Sequence, residues 1–310
     1  MPSVAVIDIG SNSIKILVAA SAPGGGLTLL KTRTIDARIS AGISRTNPLL
    51  AETGMAAGLD AIRTLLADAA PFTPARTLLV ATSAVRDAQN GPEFRTRVQA
   101  ATGLTIRILT GEEEATLIGR GLTCDPALAD LNDFSVFDLG GGSLECLAFR
   151  NRQVEQAISL PLGCVRLTEM FVGDASQPIT PEALAAIARH TRAALGDFRF
   201  PAPGSAAIGT GGTITVSRAI LAARSGHGVE ASQAQVTVTE LRDLLVWLAA
   251  LPLPARQQVP GLPAARADVM PAALATLIAL AETGGFDHFR HSFYNLRYGL
   301  AAEALAGLLA

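Results

Sequence analysis

Two stretches of this 310-residue chain, residues 4–19 and 134–149, align with each other without gaps. Each contains an apolar strand, an Asp-x-Gly-x-x-Ser turn and a second apolar strand. The shared turn residues are Asp8, Gly10 and Ser13 in the first copy and Asp138, Gly140 and Ser143 in the second. Any two core strands share valines and leucines, whereas a shared polar turn indicates duplication. The repeat therefore predicts two homologous lobes with a ligand bound between them.

The second turn has the composition of a phosphate site that also holds a metal ion. Three glycines, Gly140, Gly141 and Gly142, would let the backbone approach an oxyanion and direct several N–H groups at it. Asp138 and Glu145 flank the turn and are suited to hold a divalent cation against the same oxyanion. A simple hairpin with a glycine-rich turn is the alternative for this segment alone. Because the turn is repeated, we expect phosphate binding by both copies, at Gly10, Ser11, Asn12 and Ser13 and at Gly140, Gly141, Gly142 and Ser143.

Charge and hydropathy exclude several classes of protein. The net charge is −2 and the pI is about 6.1, with the 25 basic residues scattered, which argues against a nucleic-acid surface. The apolar stretches without charge are shorter than the roughly 20 residues of a membrane span. No basic segment precedes an apolar N-terminal core. We therefore expect a cytoplasmic protein that contacts neither nucleic acid nor membrane. Three cysteines without a C-x-x-C pair indicate neither a disulfide framework nor a zinc site.

Periodicity predicts the element order βββαβαβα for both lobes. In the first lobe, strands are predicted over 4–10, 13–20, 27–36, 77–82 and 104–109, and helices over 50–70, 92–102 and 112–122. Gly24, Gly25 and Gly26 form a predicted turn. In the second lobe, strands are predicted over 134–138, 143–149, 153–159 and 206–208, and helices over 164–171 and 181–198. The Leu/Ala stripe over 241–251 and Trp247 are expected in the core.

Two such lobes indicate the α/β class and a duplicated actin-like, ribonuclease-H-like fold around a central cleft. We expect domain I to cover residues 1–120, joined by a C-terminal helix over 296–310, and domain II to cover 121–295.

Glu114 differs from the two glutamates that precede it. Thr110 and Glu113 have the spacing of a capping box, and Glu112 suits the helix dipole, so both acids have ordinary roles at a helix start. Glu114 instead shares a helix face with Leu117 and Ile118, which should turn inward. A carboxylate on that face is either desolvated or lines a cleft. Either position would suit a general base that takes a proton from an attacking water.

Several motifs resemble those of the exopolyphosphatase/guanosine pentaphosphate phosphohydrolase (Ppx/GppA) family, in the same order and over nearly the whole chain. They are Asp-Ile-Gly-Ser-Asn-Ser at 8–13, Ala-Thr-Ser-Ala-Val-Arg at 81–86, Thr-Gly-Glu-Glu-Glu-Ala at 110–115, Asp-Leu-Gly-Gly-Gly-Ser-Leu-Glu at 138–145, Gly-Cys-Val-Arg at 163–166 and Gly-Thr-Gly-Gly-Thr at 209–213. The chain resembles the short members that have only the two actin-like domains. It departs from the family at residues 292–299, where Asn295 and Tyr298 replace the usual residues of Gly-Leu-Arg-Glu-Gly.

The resemblance implies roles for individual residues. It implies that Glu114 is the catalytic base and that Arg86 binds phosphate, although an arginine paired with Asp87 at the surface is the alternative for Arg86. It also implies that the third glycine turn, with Gly211, Gly212 and Thr213, lies beside the phosphate site, for which helix–strand packing is the alternative. Arg266 would supply positive charge.

The implied cofactor is Mg²⁺, with Mn²⁺ and a monovalent cation as further candidates. The implied reaction is hydrolysis of a terminal phosphoanhydride bond, in inorganic polyphosphate or in guanosine pentaphosphate (pppGpp). Two other functions stay open: an actin-like kinase or ATPase, and a protein that senses polyphosphate or guanosine polyphosphates without turnover. A homodimer is a candidate assembly.

Overall fold

The computed structural model describes residues 2–22, 26–41, 48–196, 198–201 and 204–307. The chain forms two compact units: unit 1 comprises Met1–Ala129 and Tyr294–Ala310, and unit 2 comprises Asp130–Phe293. Each unit has a mixed sheet with helices, and the α/β class and the duplicated actin-like fold are confirmed. The predicted turn residues Gly24 and Gly25, and the last residues of the predicted C-terminal helix, lie outside the described residues.

Unit 1 begins with a three-stranded meander and continues with alternating helices and strands. Its elements are β1 (Ser3–Ile9), β2 (Ile14–Ser21), β3 (Leu27–Ile35), α1 (Glu52–Ala69), β4 (Arg76–Ala81), α2 (Ser83–Asp87), α3 (Gly91–Thr102), β5 (Ile106–Ile108), α4 (Gly111–Thr123) and the C-terminal α11 (Leu296–Leu305). The described strands form one sheet in the order β3-β2-β1-β4-β5. The short helix α2 was not predicted. It fills the connection between β4 and α3.

The β1–β2 hairpin is the centre of this sheet because nearly all of its side chains are apolar and buried. β1 pairs with β2 in antiparallel register and with β4 in parallel register, so both of its edges are hydrogen-bonded. Complete burial of side chains such as Ile7 and Ile16 contributes about 1.5–3 kcal/mol each. The strand thereby places the turn that follows Ile9 at a fixed point of the sheet edge.

The helices α4 and α11 pack against each other at two glycines. A Cβ atom on Gly121 would lie 2.1 Å from the Asn295 carbonyl oxygen, and one on Gly299 would lie 2.0 Å from the Leu117 carbonyl oxygen. No side chain fits at either position, so the two backbones approach closely. The domain boundary predicted between residues 120 and 121 falls inside α4, which ends at Thr123.

Unit 2 repeats the meander and then adds elements. It contains β6 (Phe134–Leu139), β7 (Leu144–Arg150), β8 (Gln153–Leu160), α5 (Cys164–Phe171), α6 (Pro181–Leu195), β9 (Ala206–Thr210), α7 (Gly211–Arg224), β10 (Gln235–Thr237), α8 (Val238–Ala250), α9 (Leu253–Arg256), α10 (Met270–Gly284) and β11 (His288–His291). The described strands form one sheet in the order β10-β11-β9-β6-β7-β8.

The later part of unit 2 departs from the predicted order. In unit 1 the second parallel strand, β5, follows β4 after two helices, whereas in unit 2 the corresponding β11 follows β9 only after α7, β10, α8, α9 and α10. The antiparallel β10 adds an extra edge to the sheet. The helix that follows β11 is α11, which belongs to unit 1.

Phe137 on β6 lies at the centre of the unit 2 core. Its ring contacts those of Phe198, Phe200, Phe286 and Phe289, with centroid separations of 5.9–6.2 Å. Edge-on and tilted contacts of this kind add roughly 0.5–1.5 kcal/mol each to the energy of burial.

The expectation for Trp247 was wrong. Leu241, Leu244 and Leu248 are buried, but Trp247 is 36% exposed and lies beneath the Arg224 guanidinium, which is 5.4 Å from its ring centroid. Across the described parts of the chain, no helix combines the length and the apolar character that a membrane crossing requires.

Candidate active site

The second turn (residues 140–143) connects β6 and β7, and its two predicted metal ligands lie on opposite strands. Asp138 and Glu145 are direct cross-strand partners in the antiparallel register. Glu145 is only 2% exposed, and its Oε1 accepts a hydrogen bond of 2.8 Å from the Ser159 hydroxyl on β8. Like charges at directly opposite positions repel each other. The hairpin therefore holds two acids at an arrangement that a bound cation would stabilise.

The first hairpin has a different charge pattern at the same two positions. Asp8 is the cross-strand partner of Lys15, so an acid faces a base there. Burial raises the pKa of Asp8, and the charges of Lys15 and Arg297 act in the opposite direction. Only the second hairpin pairs two carboxylates. Although the sequence repeat aligned Asp8 with Asp138, sequence reasoning did not include Asp8 in the site.

The second turn is held from behind by the start of α5. The amide of Cys164 donates to the Gly140 carbonyl at 3.0 Å, and the amide of Val165 donates to the Gly141 carbonyl at 2.9 Å. The side chain of Arg166 adds a third bond, from Nε to the Gly142 carbonyl at 3.0 Å. A peptide plane carries its C=O and N–H in opposite directions. With the carbonyls turned towards α5, the N–H groups of this turn point away from the helix, as an anion site requires.

This arrangement depends on glycine at position 163. A Cβ atom there would lie 2.2 Å from the backbone of Gly142, so only glycine permits the contact. The Gly-Cys-Val-Arg motif at 163–166 was noted in the sequence, but its residues were not included in the predicted site. Its position next to a glycine turn could be seen only once the two segments were in contact.

The first turn (residues 10–13) is held by the segment that follows β3. The amide of Arg38 donates to the Asn12 carbonyl at 2.9 Å, and the amide of Ser40 donates to the Ser11 carbonyl at 3.2 Å. The Ser11 hydroxyl lies 3.1 Å from that of Ser83, the first residue of α2. Ser83 is a further site residue that sequence reasoning missed.

Asn12 is the polar side chain of this turn that lacks an internal partner. It is 5% exposed, and neither its amide oxygen nor its amide nitrogen has a hydrogen-bond partner among the described residues. A buried amide without partners costs on the order of 1–3 kcal/mol. A phosphate oxygen and a water at this position would remove that cost.

The third turn (residues 211–213) lies directly against Asp138. Gly211 has a φ of +82°, and a Cβ atom on it would lie 2.0 Å from Asp138 Oδ1. A Cβ atom on Gly212 would lie 2.1 Å from Arg266 Nη1. Thr213 donates its hydroxyl to the Leu139 carbonyl at 3.1 Å. Unit 2 therefore brings together the second turn, the third turn, the Asp138 carboxylate and the Arg266 guanidinium.

Glu114 lies on α4, and the predicted capping box positions it. Thr110 Oγ1 accepts from the Glu113 amide, and Glu113 accepts from the Thr110 amide, so the helix start is fixed. Glu114 is 7% exposed, as expected for its helix face. The preceding residue, Glu113, instead forms an ion pair of 2.8 Å with Arg107 and takes no part in the site.

Arg86, at the end of α2, contacts Glu114 directly. Its Nη1 lies 3.4 Å from Glu114 Oε2 and donates to the Leu109 carbonyl at 2.9 Å. Its Nε lies 3.3 Å from Asp87 Oδ1, which is the ion pair of the alternative interpretation. The ion pair with Asp87 is therefore present, and the contact of Arg86 with phosphate stays a prediction. Since α2 also carries Ser83, it connects the Arg86–Glu114 pair to the first turn within unit 1.

No group of three or more His, Cys, Asp or Glu side chains in the described part of the chain is arranged to hold a metal ion. The Asp138–Glu145 pair provides two protein ligands at most. This number suits Mg²⁺, which in phosphate sites keeps several waters and binds one or two carboxylates together with the phosphate itself.

Comparisons with known proteins agree with this geometry. The model of the Ppx/GppA phosphatase family matches residues 17–306. The structure is similar to the crystal structure of the Aquifex aeolicus member of the Ppx/GppA protein family, with 25% sequence identity, a TM-score of 0.80, and coverage of 100% of this chain and 99% of that one. It also shares its fold with an exopolyphosphatase from Cytophaga hutchinsonii, with 20% identity, a TM-score of 0.87 and 98% of each chain covered.

Proposed function

Because this chain belongs to the Ppx/GppA phosphatase family and is a hydrolase of phosphoanhydride bonds, we propose that it releases terminal orthophosphate from inorganic polyphosphate. We propose further that it uses Mg²⁺, favours short chains and acts in the cytoplasm. The observation that carries the proposal is the pairing of Asp138 with Glu145 beside two glycine turns. Two facing carboxylates suit a cation, and the turns suit the phosphate that the cation would accompany.

The proposed metal ligands are Asp138 and Glu145, directly or through water. Glu145 is held by a hydrogen bond from Ser159, and the side chain of Asp138 lies against Gly211, so neighbouring residues restrict both carboxylates. When bound, a divalent cation supplies charge that neutralises phosphate oxygens as the terminal bond breaks.

The proposed phosphate ligands are backbone amides and two side chains. The turn carbonyls are engaged by Arg38, Ser40, Cys164 and Val165, so the opposite faces of these peptides present N–H groups. The Asn12 amide would contact a phosphate oxygen in unit 1, and the Arg266 guanidinium would do so in unit 2. Local contacts of this kind would bind a few phosphate units without an overall positive charge, which the net charge of −2 requires.

Glu114 is the proposed general base. As a carboxylate it would accept a proton from the water that attacks the terminal phosphorus, and no protein nucleophile is needed. Arg86 holds Glu114 in place through its ion pair. As substrate binds, one of the guanidinium N–H groups of Arg86 would bond to a phosphate oxygen, since a guanidinium carries five donors.

One assay compares the candidate substrates. Orthophosphate release is measured with short polyphosphate, long polyphosphate, pppGpp and ATP at equal concentrations of chain ends, with Mg²⁺ and with EDTA. We expect the highest kcat/KM on short polyphosphate and none with EDTA. A preference for pppGpp would assign the guanosine pentaphosphate activity instead. Faster turnover of ATP, with transfer to an acceptor, would indicate a kinase.

The Glu114→Gln variant distinguishes turnover from sensing. If wild-type protein binds polyphosphate but releases no more orthophosphate than this variant does, the chain is a sensor and the proposed activity is wrong. Partial digests of long polymer add a test of the short-chain preference. A smoothly shortening population is expected, because binding is confined to the turns, whereas full-length chains beside free phosphate would show a processive grip.

A further inference from the structure

A hydrogen-bonded network of polar side chains, two of them buried, ends at the third turn. Arg218 on α7 is 3% exposed, and its Nη1 lies 2.5 Å from His291 Nδ1 at the end of β11. The other ring nitrogen, Nε2, lies 3.0 Å from Thr215 Oγ1. The Thr215 hydroxyl in turn donates to the Gly211 carbonyl at 2.7 Å. His291 is also buried, at 7% exposed, whereas Thr215 is partly buried.

Arg218 determines which atom donates and which accepts in every hydrogen bond of this network. An arginine has only donors, so His291 Nδ1 accepts and the ring must carry its proton on Nε2. The Nε2–H then donates to Thr215 Oγ1, which leaves the hydroxyl proton of Thr215 for the Gly211 carbonyl. Arg218 therefore sets the histidine tautomer, and the tautomer sets the rotamer of the Thr215 hydroxyl.

The hydrogen-bonded network ends at a single peptide group, Gly211–Gly212. Because the peptide is planar, a Gly211 carbonyl drawn towards Thr215 directs the Gly212 N–H the opposite way, out of the helix start. Gly212 lies under the Arg266 guanidinium, and Gly211 lies against the Asp138 carboxylate. Gly211 has no Cβ and a φ of +82°, so the restraint on this peptide comes from its hydrogen bonds. As the first residue of α7, Gly211 also accepts the ordinary helical bond from the Thr215 amide, and the Thr215 hydroxyl is a second donor to the same carbonyl.

We infer that Arg218, His291 and Thr215 are positioning residues that orient the Gly211–Gly212 peptide for phosphate binding. The inference rests on the proposed function, because it assigns a role at the same site. None of the three side chains is placed to touch the substrate. They act through the Gly212 N–H alone.

The hydrogen bonds of Arg218 support a functional role for this residue in addition to its packing in the core. Its remaining bonds go to the carbonyls of Val229 and Ser232 and to the Ser232 hydroxyl, and none of the described carboxylates forms an ion pair with it. The charge of Glu230 acts on the pKa of Arg218 without a direct ion pair, so burial, which lowers that pKa, is only partly offset. A positive charge behind a phosphate-binding helix start is useful to that site, since it strengthens the attraction for an anion.

The test uses Thr215→Val, which keeps the shape of the side chain and removes the hydroxyl. We expect KM for short polyphosphate and the inhibition constant of orthophosphate to rise together, by roughly five- to tenfold. This is the change in affinity that loss of one hydrogen bond typically causes. We expect kcat to change less. Thr215→Ser keeps the hydroxyl and should restore both constants. Thr276→Val is the matched control, because Thr276 is buried and donates the same type of bond to the Ala272 carbonyl.

Partial unfolding would lower kcat and leave KM unchanged, so the direction of the effect separates positioning from stability. Unchanged constants in an active Thr215→Val variant would overturn the inference and leave the proposed function standing. An equal rise in Thr276→Val would also overturn it.

A second measurement does not need turnover. In ¹⁵N-labelled wild-type protein, NMR should show His291 as the Nε2–H tautomer, and titration with orthophosphate should shift the Gly212 amide. The shift should need five to ten times more phosphate in Thr215→Val. The other tautomer, or no shift at Gly212, would overturn the inference even if the enzyme proved inactive on every substrate.

Discussion

Arg86 Nη1 lies 3.4 Å from Glu114 Oε2 inside unit 1. The residue expected to bind phosphate and the residue expected to act as base therefore contact each other directly. The same nitrogen also donates to the Leu109 carbonyl, which fixes the guanidinium at the start of α4. These two contacts of Arg86 are independent of its proposed contact with phosphate.

Replacing Glu114 by glutamine should reduce kcat by about 10²- to 10⁴-fold with little change in KM. The amide preserves the shape of the side chain but cannot accept the proton. Steady-state kinetics of orthophosphate release measures both constants. Glu113→Gln is the control on the same helix: glutamine keeps the capping box and loses only the exposed ion pair with Arg107, so stability and kcat should both stay near the wild-type values. Similar rates in Glu114→Gln and wild type would remove Glu114 from the reaction.

Asp138→Asn and Glu145→Gln should each raise the Mg²⁺ concentration for half-maximal activity by about tenfold or more, because each removes a charge from the proposed metal site. The measurement is a Mg²⁺ titration of phosphate release at saturating substrate. Glu155→Gln provides the control, since Glu155 is an exposed acid on the neighbouring strand and pairs with Arg150. A titration that does not move in either variant would show that these carboxylates do not hold the cation.

Gly211→Ala should abolish most of the activity, whereas Gly285→Ala should not. Both glycines have positive φ, +82° and +70°, so alanine costs about 1–2 kcal/mol of stability at either position. Only at Gly211 does the new methyl group collide with the Asp138 carboxylate, because the space around Gly285 is open. Thermal unfolding and kcat/KM, measured on both variants, separate the shared strain from the local collision. Equal activity in the two variants would contradict the contact between the third turn and Asp138.

The free energy of unfolding should decrease as the pH is lowered, because unfolding allows His291 to bind a proton. Burial, and then the charge of Arg218, lowers the pKa of His291 to about 3, whereas the unfolded chain binds the proton near pH 6.5. Since the unfolded state holds more protons below pH 6.5, the free energy of unfolding decreases as the pH falls, by on the order of 3 kcal/mol at pH 4 from this group. His291→Gln removes that contribution, so its stability should depend less on pH.

Urea unfolding of wild type and His291→Gln at pH 7 and pH 4 measures the difference. His227→Gln, which changes an exposed histidine, should follow the wild type. Parallel losses in all three proteins would show that His291 takes up its proton in the folded state as readily as in the unfolded one.

Much of the fold was predictable because its signals are local. Alternation of apolar residues and the glycines between them placed the three-stranded meander of each unit, and the capping box placed the start of α4. The repeated Asp-x-Gly-x-x-Ser turn predicted the duplication, since both copies are continuous in sequence. Local patterns failed for Trp247, because helical periodicity does not show which edge of an apolar stripe reaches solvent.

The tertiary structure decided which side chains meet. The sequence alone determined that two acids flank a glycine turn, but the antiparallel register made Asp138 and Glu145 face each other and gave Asp8 a lysine instead. Contacts such as Arg266 with Gly212 and Arg218 with His291 join segments far apart in the chain. Such pairs depend on how strands and helices pack in three dimensions, and no periodicity or spacing within one segment encodes them.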